Sequence, residues 1–224
     1  METLKITPSL YNSFYWCMKL EKPLTEFVDT LLRKPMESNE AMQAGIDFEN
    51  AVEKVCNGYA TPYENCIYGE NPYIPLSDKK ELLKLEIYSN CVKEVSEIVK
   101  GGYWQETVSK IVKIPEYDFN INLTGRTDVI GVDVINDIKF VNQYEIGKYQ
   151  AAIQHLIYMY CTGIEKFRYI ICDGKAVYVE EYNFNMQQLE EKLFLMVREF
   201  LSFLQNTDFE GENLMQIYKN KWVV

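Results

Sequence analysis

Apolar positions change their period part-way along the chain. In EAMQAGIDFENAVEKVCN, residues 40 to 57, Phe48, Val52 and Val55 recur at helical spacing and Asn57-Gly58 supplies a stop, so an amphipathic helix is predicted. Upstream, ITPSLYNSFYWCMKL predicts a short aromatic-rich helix capped by Thr7 or Ser9. The segment from 59 to 75 holds three prolines and predicts loop. Ser77 is expected to cap a further helix running to about Lys100, ended by Gly101-Gly102.

After residue 102 the period falls to two. ETVSKIVKIPEY, FNINLTGRTDVIGV and DVINDIKF alternate, predicting three consecutive strands with tight turns. A helix is expected over EIGKYQAAIQHLIYMYCTG, closed by Gly163, with Ile146, Ile153, Ile157 and Tyr160 on its core face. Gln150, Gln154 and Tyr158 run down the adjoining border at i, i+4, i+8, and Lys148 and His155 fall on a more exposed face. KFRYIICDGKAVYVEEYNF then predicts a hairpin turning at Asp173-Gly174, and a last helix covers roughly 186 to 206. The order predicts an α/β layered fold in a single domain, 1–224. It divides into a helical segment (1–39), a helical insertion (76–102), a sheet core with its motif helix (103–183), and a C-terminal helix and tail (184–224).

Composition narrows the picture. With 47% apolar residues the chain can build a sizeable core, and its 17 Tyr and 11 Phe are spread through apparent core positions rather than clustered as a stacking platform. No 18-residue apolar run occurs and METLKITPSL lacks a charged-then-apolar leader pattern, so a soluble, cytoplasmic protein with no membrane partner is expected. Cys17, Cys56, Cys66, Cys91, Cys161 and Cys172 show no metal-ligand spacing and are expected as reduced thiols, with no zinc or iron–sulfur site. A net charge of −10 argues against broad nucleic-acid affinity. Any such activity must use a local basic groove, a divalent metal or a partner.

GRTDVIGVDVINDIKF, residues 125 to 140, breaks the pattern of buried sheet. Asp128, Asp137 and Lys139 interrupt a run of β-formers, and an unpaired buried carboxylate is costly. Alternate residues of a strand share a face, so Asp137 and Lys139 point the same way. With a turn near Gly131 to Asp133, Asp128 comes to lie close to Asp137 on the neighbouring strand. Two carboxylates this close repel, unless one takes a proton or a divalent cation offsets them. Glu49, at the edge of the Phe48/Val52/Val55 stripe, is placed to reach the sheet edge as a third ligand, with Glu53 one turn away. Asp133 reads as turn chemistry.

The order Glu49, Asp128, Asp137-Ile138-Lys139, Gln154-x-x-x-Tyr158 resembles the PD-(D/E)xK nuclease superfamily, and within it RecB-type domains and phage exonucleases of the lambda type. AGIDFENAVEKV is similar to the first-motif helix of the phage enzymes, LTGRTDVI to the second motif, INDIKF to the third, and QHLIY to the glutamine-to-tyrosine signature. RecB-type domains often carry His where Glu49 stands, so the phage branch is nearer. The cysteine set that holds an iron–sulfur cluster in some relatives is missing, since no Cys follows Cys172.

The resemblance implies a restriction-endonuclease-like core, a central mixed sheet flanked by helices, in a bacterial or phage-infected cell. It implies metal-dependent hydrolysis of DNA phosphodiester bonds, most nearly by an exonuclease of recombination or repair. Mg²⁺, or Mn²⁺ in its place, would be held by Glu49, Asp128, Asp137 and the Ile138 carbonyl. Lys139 would orient or help deprotonate water, Gln154 and Tyr158 would position substrate or Lys139, and Arg126, Lys148 and Gln150 would contact substrate. A single-strand annealing protein or helicase is the partner that the family suggests. Alternatives are a structure- or sequence-specific endonuclease, which shares every motif, and a non-catalytic interaction module of the same fold. A plain structural sheet, with Asp128 in a turn and Lys139 in a salt bridge, is the remaining one.

Overall fold

The computed structural model describes residues 2–19, 22–35, 39–69, 74–75 and 77–224. The chain opens with strand β1 (Thr3–Ile6), then helices α1 (Pro8–Lys19), α2 (Leu24–Leu31), α3 (Glu40–Cys56), α4 (Pro62–Tyr68) and α5 (Lys79–Val99). Strands β2 (Tyr103–Trp104), β3 (Thr107–Lys113), β4 (Asn120–Arg126), β5 (Val129–Ile130) and β6 (Ile135–Phe140) follow. Helix α6 (Ile153–Thr162) leads to β7 (Lys166–Cys172), β8 (Val177–Asn183) and α7 (Met186–Asn206). The chain ends with β9 (Asp208–Phe209), β10 (Glu212–Asn213) and α8 (Leu214–Lys221). This is a mixed α/β fold.

The strands form a three-stranded sheet, β1-β4-β3, a five-stranded sheet, β2-β5-β6-β7-β8, and the small β9–β10 pair. Both larger sheets are mixed: β1 runs parallel to β4 and β6 parallel to β7, the other neighbours being antiparallel. Parallel neighbours need a crossover, and α6 supplies the one between β6 and β7. After β2 the chain changes sheet twice, at Gln105–Glu106 between β2 and β3 and at Thr127–Asp128 between β4 and β5. The two crossings are tied together: Gln105 N–H donates to the Asp128 carbonyl (2.8 Å) and Thr127 N–H to the Glu106 carbonyl (2.9 Å).

Each face of β6 meets a different core. Ile135 joins the larger core, in which α6, α1 and α7 pack with Tyr11, Phe14, Leu156, Phe167 and Phe200. Ile138 belongs to a second core with Phe48 and Val52 of α3 and Val92, Val95 and Val99 of α5. Full burial of Phe48 and Val52 stabilises the α3 contact by about 1.5–3 kcal/mol each, and Phe48 also stacks on Phe140 at 5.0 Å. Asn39 caps α3 by accepting from Met42 N–H, and Gly58 takes the left-handed conformation (φ 84°) just past its end. Among the described residues no helix is long and apolar enough to cross a membrane.

Several sequence expectations change. A loop was expected across 59–75, yet α4 lies inside it; residues 70–73 of that stretch lie outside the described residues. The cap of α5 is Asp78, not Ser77. The helix expected from 145 begins only at Ile153, because Gly147 turns left-handed (φ 79°) and 146–151 form turns. Ile146 is therefore 86% exposed rather than in the core. Gln150 and Lys148 are exposed turn residues, so the ladder from Gln150 to Tyr158 does not exist; only Gln154 and Tyr158 share the helix. His155 is fully buried, not exposed, because α6 is packed on several sides and has no broad solvent face.

Candidate active site

The site forms where the two sheets part. Asp137 projects from β6 toward α6 and is fully buried. Its Oδ1 accepts from Gln154 Nε2 (2.5 Å), and its Oδ2 forms an ion pair with Lys139, two residues along on the same face. Asp128 stands at the sheet crossing, and its Oδ2 accepts the Ile138 N–H (2.7 Å). Glu49 reaches in from α3, with its Oε1 accepting from Gln105 Nε2 (2.9 Å).

Tyr158 lies one turn after Gln154 and donates to the Arg126 carbonyl (2.7 Å), pinning α6 to the end of β4. A Cβ on Gly125 would come within 2.4 Å of Tyr158 Cε1. Glycine is needed in this strand so that the Tyr158 ring can lie against the backbone. The Arg126 side chain is exposed, as is Lys148.

The electrostatics follow from the crowding. Burial and then the neighbouring Asp137 charge push the Asp128 carboxyl well up, and Glu49 adds to the rise. Asp137 is also raised, burial outweighing the help it takes from Lys139. Burial alone would push Lys139 down, but Asp137 and Asp128 together overcome it and hold the ammonium above its usual value. Lys139 is thus kept charged by two carboxyl groups that burial itself pushes toward protonation.

No protein-family model matches the chain, and no curated protein does. Among solved structures, the crystal structure of SSO0001 is similar over 85% of this chain and 91% of its own, at a TM-score of 0.42 and 14% identity. A likeness this loose carries no argument about fold or chemistry.

The residues present fit a divalent cation held mainly by two carboxylates. Asp137 Oδ2 is a fully buried oxygen with no hydrogen bond, ion-paired to Lys139, and its carboxyl adjoins a second carboxylate whose charge it disfavours. Such a pair suits Mg²⁺, which takes one or two carboxylates and completes its shell with water and phosphate oxygens. It does not suit a cage: among the described residues no three His, Cys, Asp or Glu side chains close on one point. Glu49 acts on both aspartates through its charge, while its Oε1 is held by Gln105.

Sequence reasoning missed three contributors. Gln105 holds Glu49. Tyr149 stacks on Tyr169 (4.6 Å between centroids) and interacts electrostatically with Lys139 and Asp137. Glu180 fastens the loop that carries Tyr149: it accepts from Tyr144 Oη (2.9 Å), Gly147 N–H (2.8 Å) and Tyr182 Oη (2.6 Å). None belongs to a motif, and the only local signal was the density of Tyr in 144–149 and 178–182. An open depression of about 610 Å³ near Lys166, Asn183 and Phe184 is lined by none of these residues.

Proposed function

We propose that the chain is a divalent-metal-dependent nuclease of the PD-(D/E)xK superfamily that hydrolyses DNA phosphodiester bonds, acting as an exonuclease. The observation that carries this reading is the pair of carboxylates that burial raises, Asp128 and Asp137, with the Asp137 charge adding to the rise of Asp128 and Lys139 ion-paired to Asp137. A structural sheet has no use for such a pair. The order of motifs along the chain supports the same reading.

Asp128, Asp137 and the Ile138 carbonyl would hold the cation, with Glu49 adding charge from α3. When bound, such a cation offsets charge on the phosphate and lowers the pKa of water. The chain's own residues do the rest. Lys139, held as an ammonium, donates to a phosphate oxygen or to the attacking water and stabilises charge that grows on the phosphorus oxygens. It acts as a fixed positive charge rather than as a base. Gln154 fixes the Asp137 rotamer through Oδ1, leaving Oδ2 turned toward the reacting centre. Tyr158, kept protonated by its burial, locks α6 against β4 so that Gln154 and the strand keep register. Arg126 and Lys148 offer exposed positive charge for flanking phosphates.

The test is incubation of purified protein with end-labelled linear DNA and covalently closed circular DNA, in Mg²⁺, Mn²⁺ or EDTA. Metal-dependent loss of the linear substrate alone is expected. Nicking of the circle would make it an endonuclease, and no cleavage of either would overturn the enzymatic reading.

A further inference from the structure

We propose that Gln105 is a positioning residue that sets the Glu49 carboxylate against the Asp128–Asp137 pair; the inference rests on the metal-site reading above. Gln105 occupies the sheet crossing with a left-handed backbone, φ 54°, a conformation that residues bearing a Cβ adopt only at a cost. Its main-chain N–H is committed to the Asp128 carbonyl (2.8 Å). Its side-chain amide donates to Glu49 Oε1 (2.9 Å), across 56 residues of sequence. One residue therefore ties the carboxylate of α3 to the aspartate at the crossing.

Glycine would satisfy this backbone without strain. The chain instead keeps a long side chain there, and the described contact of that side chain is with Glu49. An amide also suits the task better than a cation would. It orients one oxygen of the carboxylate while leaving the negative charge intact, so Glu49 still attracts a divalent ion. Residues of this kind, which orient a group acting on the metal without touching the metal themselves, tune affinity.

Gln105→Gly and Gln105→Asn both tolerate the left-handed backbone and keep the N–H to Asp128, and neither side chain spans the distance to Glu49. Mn²⁺ binding is measured by calorimetry without DNA, alongside thermal unfolding in EDTA. In both variants the Mn²⁺ dissociation constant should rise about 10- to 100-fold. The unfolding midpoint should stay level or, for Gln105→Gly, rise. In a Glu49→Ala background, Gln105→Gly should weaken Mn²⁺ binding no further, because the group it acts through is gone. Wild-type Mn²⁺ affinity in both variants with a lowered midpoint would make Gln105 a structural tie only and overturn the inference alone. Failure of the wild-type chain to bind Mn²⁺ would overturn the metal-site reading and this inference with it.

Discussion

Two sets of polar side chains are buried in this fold, and they are held in opposite ways. At the sheet crossing, burial pushes Asp128 and Asp137 toward their neutral forms, while the two aspartates together hold Lys139 ionised against its own burial. On α6, His155 lies in an apolar ring cage, stacked on Tyr182 at 4.7 Å and near Phe184, with Nδ1 3.4 Å from Tyr169 Oη and Nε2 unpartnered. Burial pushes it down to about 3, so it is neutral at physiological pH. For Lys139 the neighbouring carboxylates outweigh burial and preserve ionisation, whereas for His155 burial among rings removes it. The residue type most used for proton transfer is therefore held neutral here, and the proposed chemistry rests on the aspartates and the lysine.

The comparison breaks most visibly through activity. Asp128→Asn, Asp137→Asn and Lys139→Ala should each lower metal-dependent DNA cleavage by orders of magnitude, while His155→Phe leaves cleavage within severalfold of wild type; gel assays of linear DNA check both. Asp128→Asn should also raise thermal stability in EDTA, since it removes one of two repelling carboxylates.

A pH series sharpens the contrast. His155 binds fewer protons folded than unfolded between about 3 and 6.5, so its contribution to stability is present above 6.5 and is lost as pH falls through that window. Asp128 binds more protons folded than unfolded above 3.8, so its penalty grows as pH rises from there. Between pH 4 and 6.5 the variants should tilt the stability profile in opposite senses, each by at most about 1.4 kcal/mol per pH unit. Relative to the wild type, His155→Phe lowers the slope of stability against pH, and Asp128→Asn raises it. Denaturant melts in EDTA read the slopes, and parallel profiles would break the contrast.

Gly125→Ala should cost about 1–3 kcal/mol by overpacking and lower cleavage by displacing Tyr158. Unchanged stability would mean that Tyr158 does not need its seat. The smallest effect is expected at Glu180→Gln, which weakens the fastening of the Tyr149 loop. A severalfold loss of cleavage is predicted, with little change in the unfolding midpoint.

What was legible in the sequence were the elements with strong local period. Helix α3 shows it in Phe48 and Val52, and α7 runs over the expected 186–206. The strand pair carrying Asp128 and Asp137 was also legible, because alternation and the turn at 131–134 fix which side chains share a face. Helix α4 did carry a signal, the Thr61-Pro62-x-Glu64 capping box, hidden by the prolines around it. The division into two sheets was not legible. FNINLTGRTDVIGV alternates throughout, and only pairing with distant β1 and β2 breaks it at Thr127–Asp128. His155 was misplaced because helical spacing assumes one solvent face, and α6 has α1, α7 and two sheets around it. Gln105 acts across 56 residues through one side-chain hydrogen bond, and Glu180 across 36 and 33 through two, which no local pattern encodes.

The central claim is that Asp128, Asp137 and Lys139 form a metal-dependent phosphodiester-cleaving site. Its most direct test is the rate of label release from end-labelled linear duplex DNA by the wild-type chain and by Asp137→Asn, each in Mg²⁺ and in EDTA. The predicted result is release by the wild type in Mg²⁺ alone, with the variant folded and inactive in both. Release that persists in EDTA, or a variant as fast as the wild type, would contradict it.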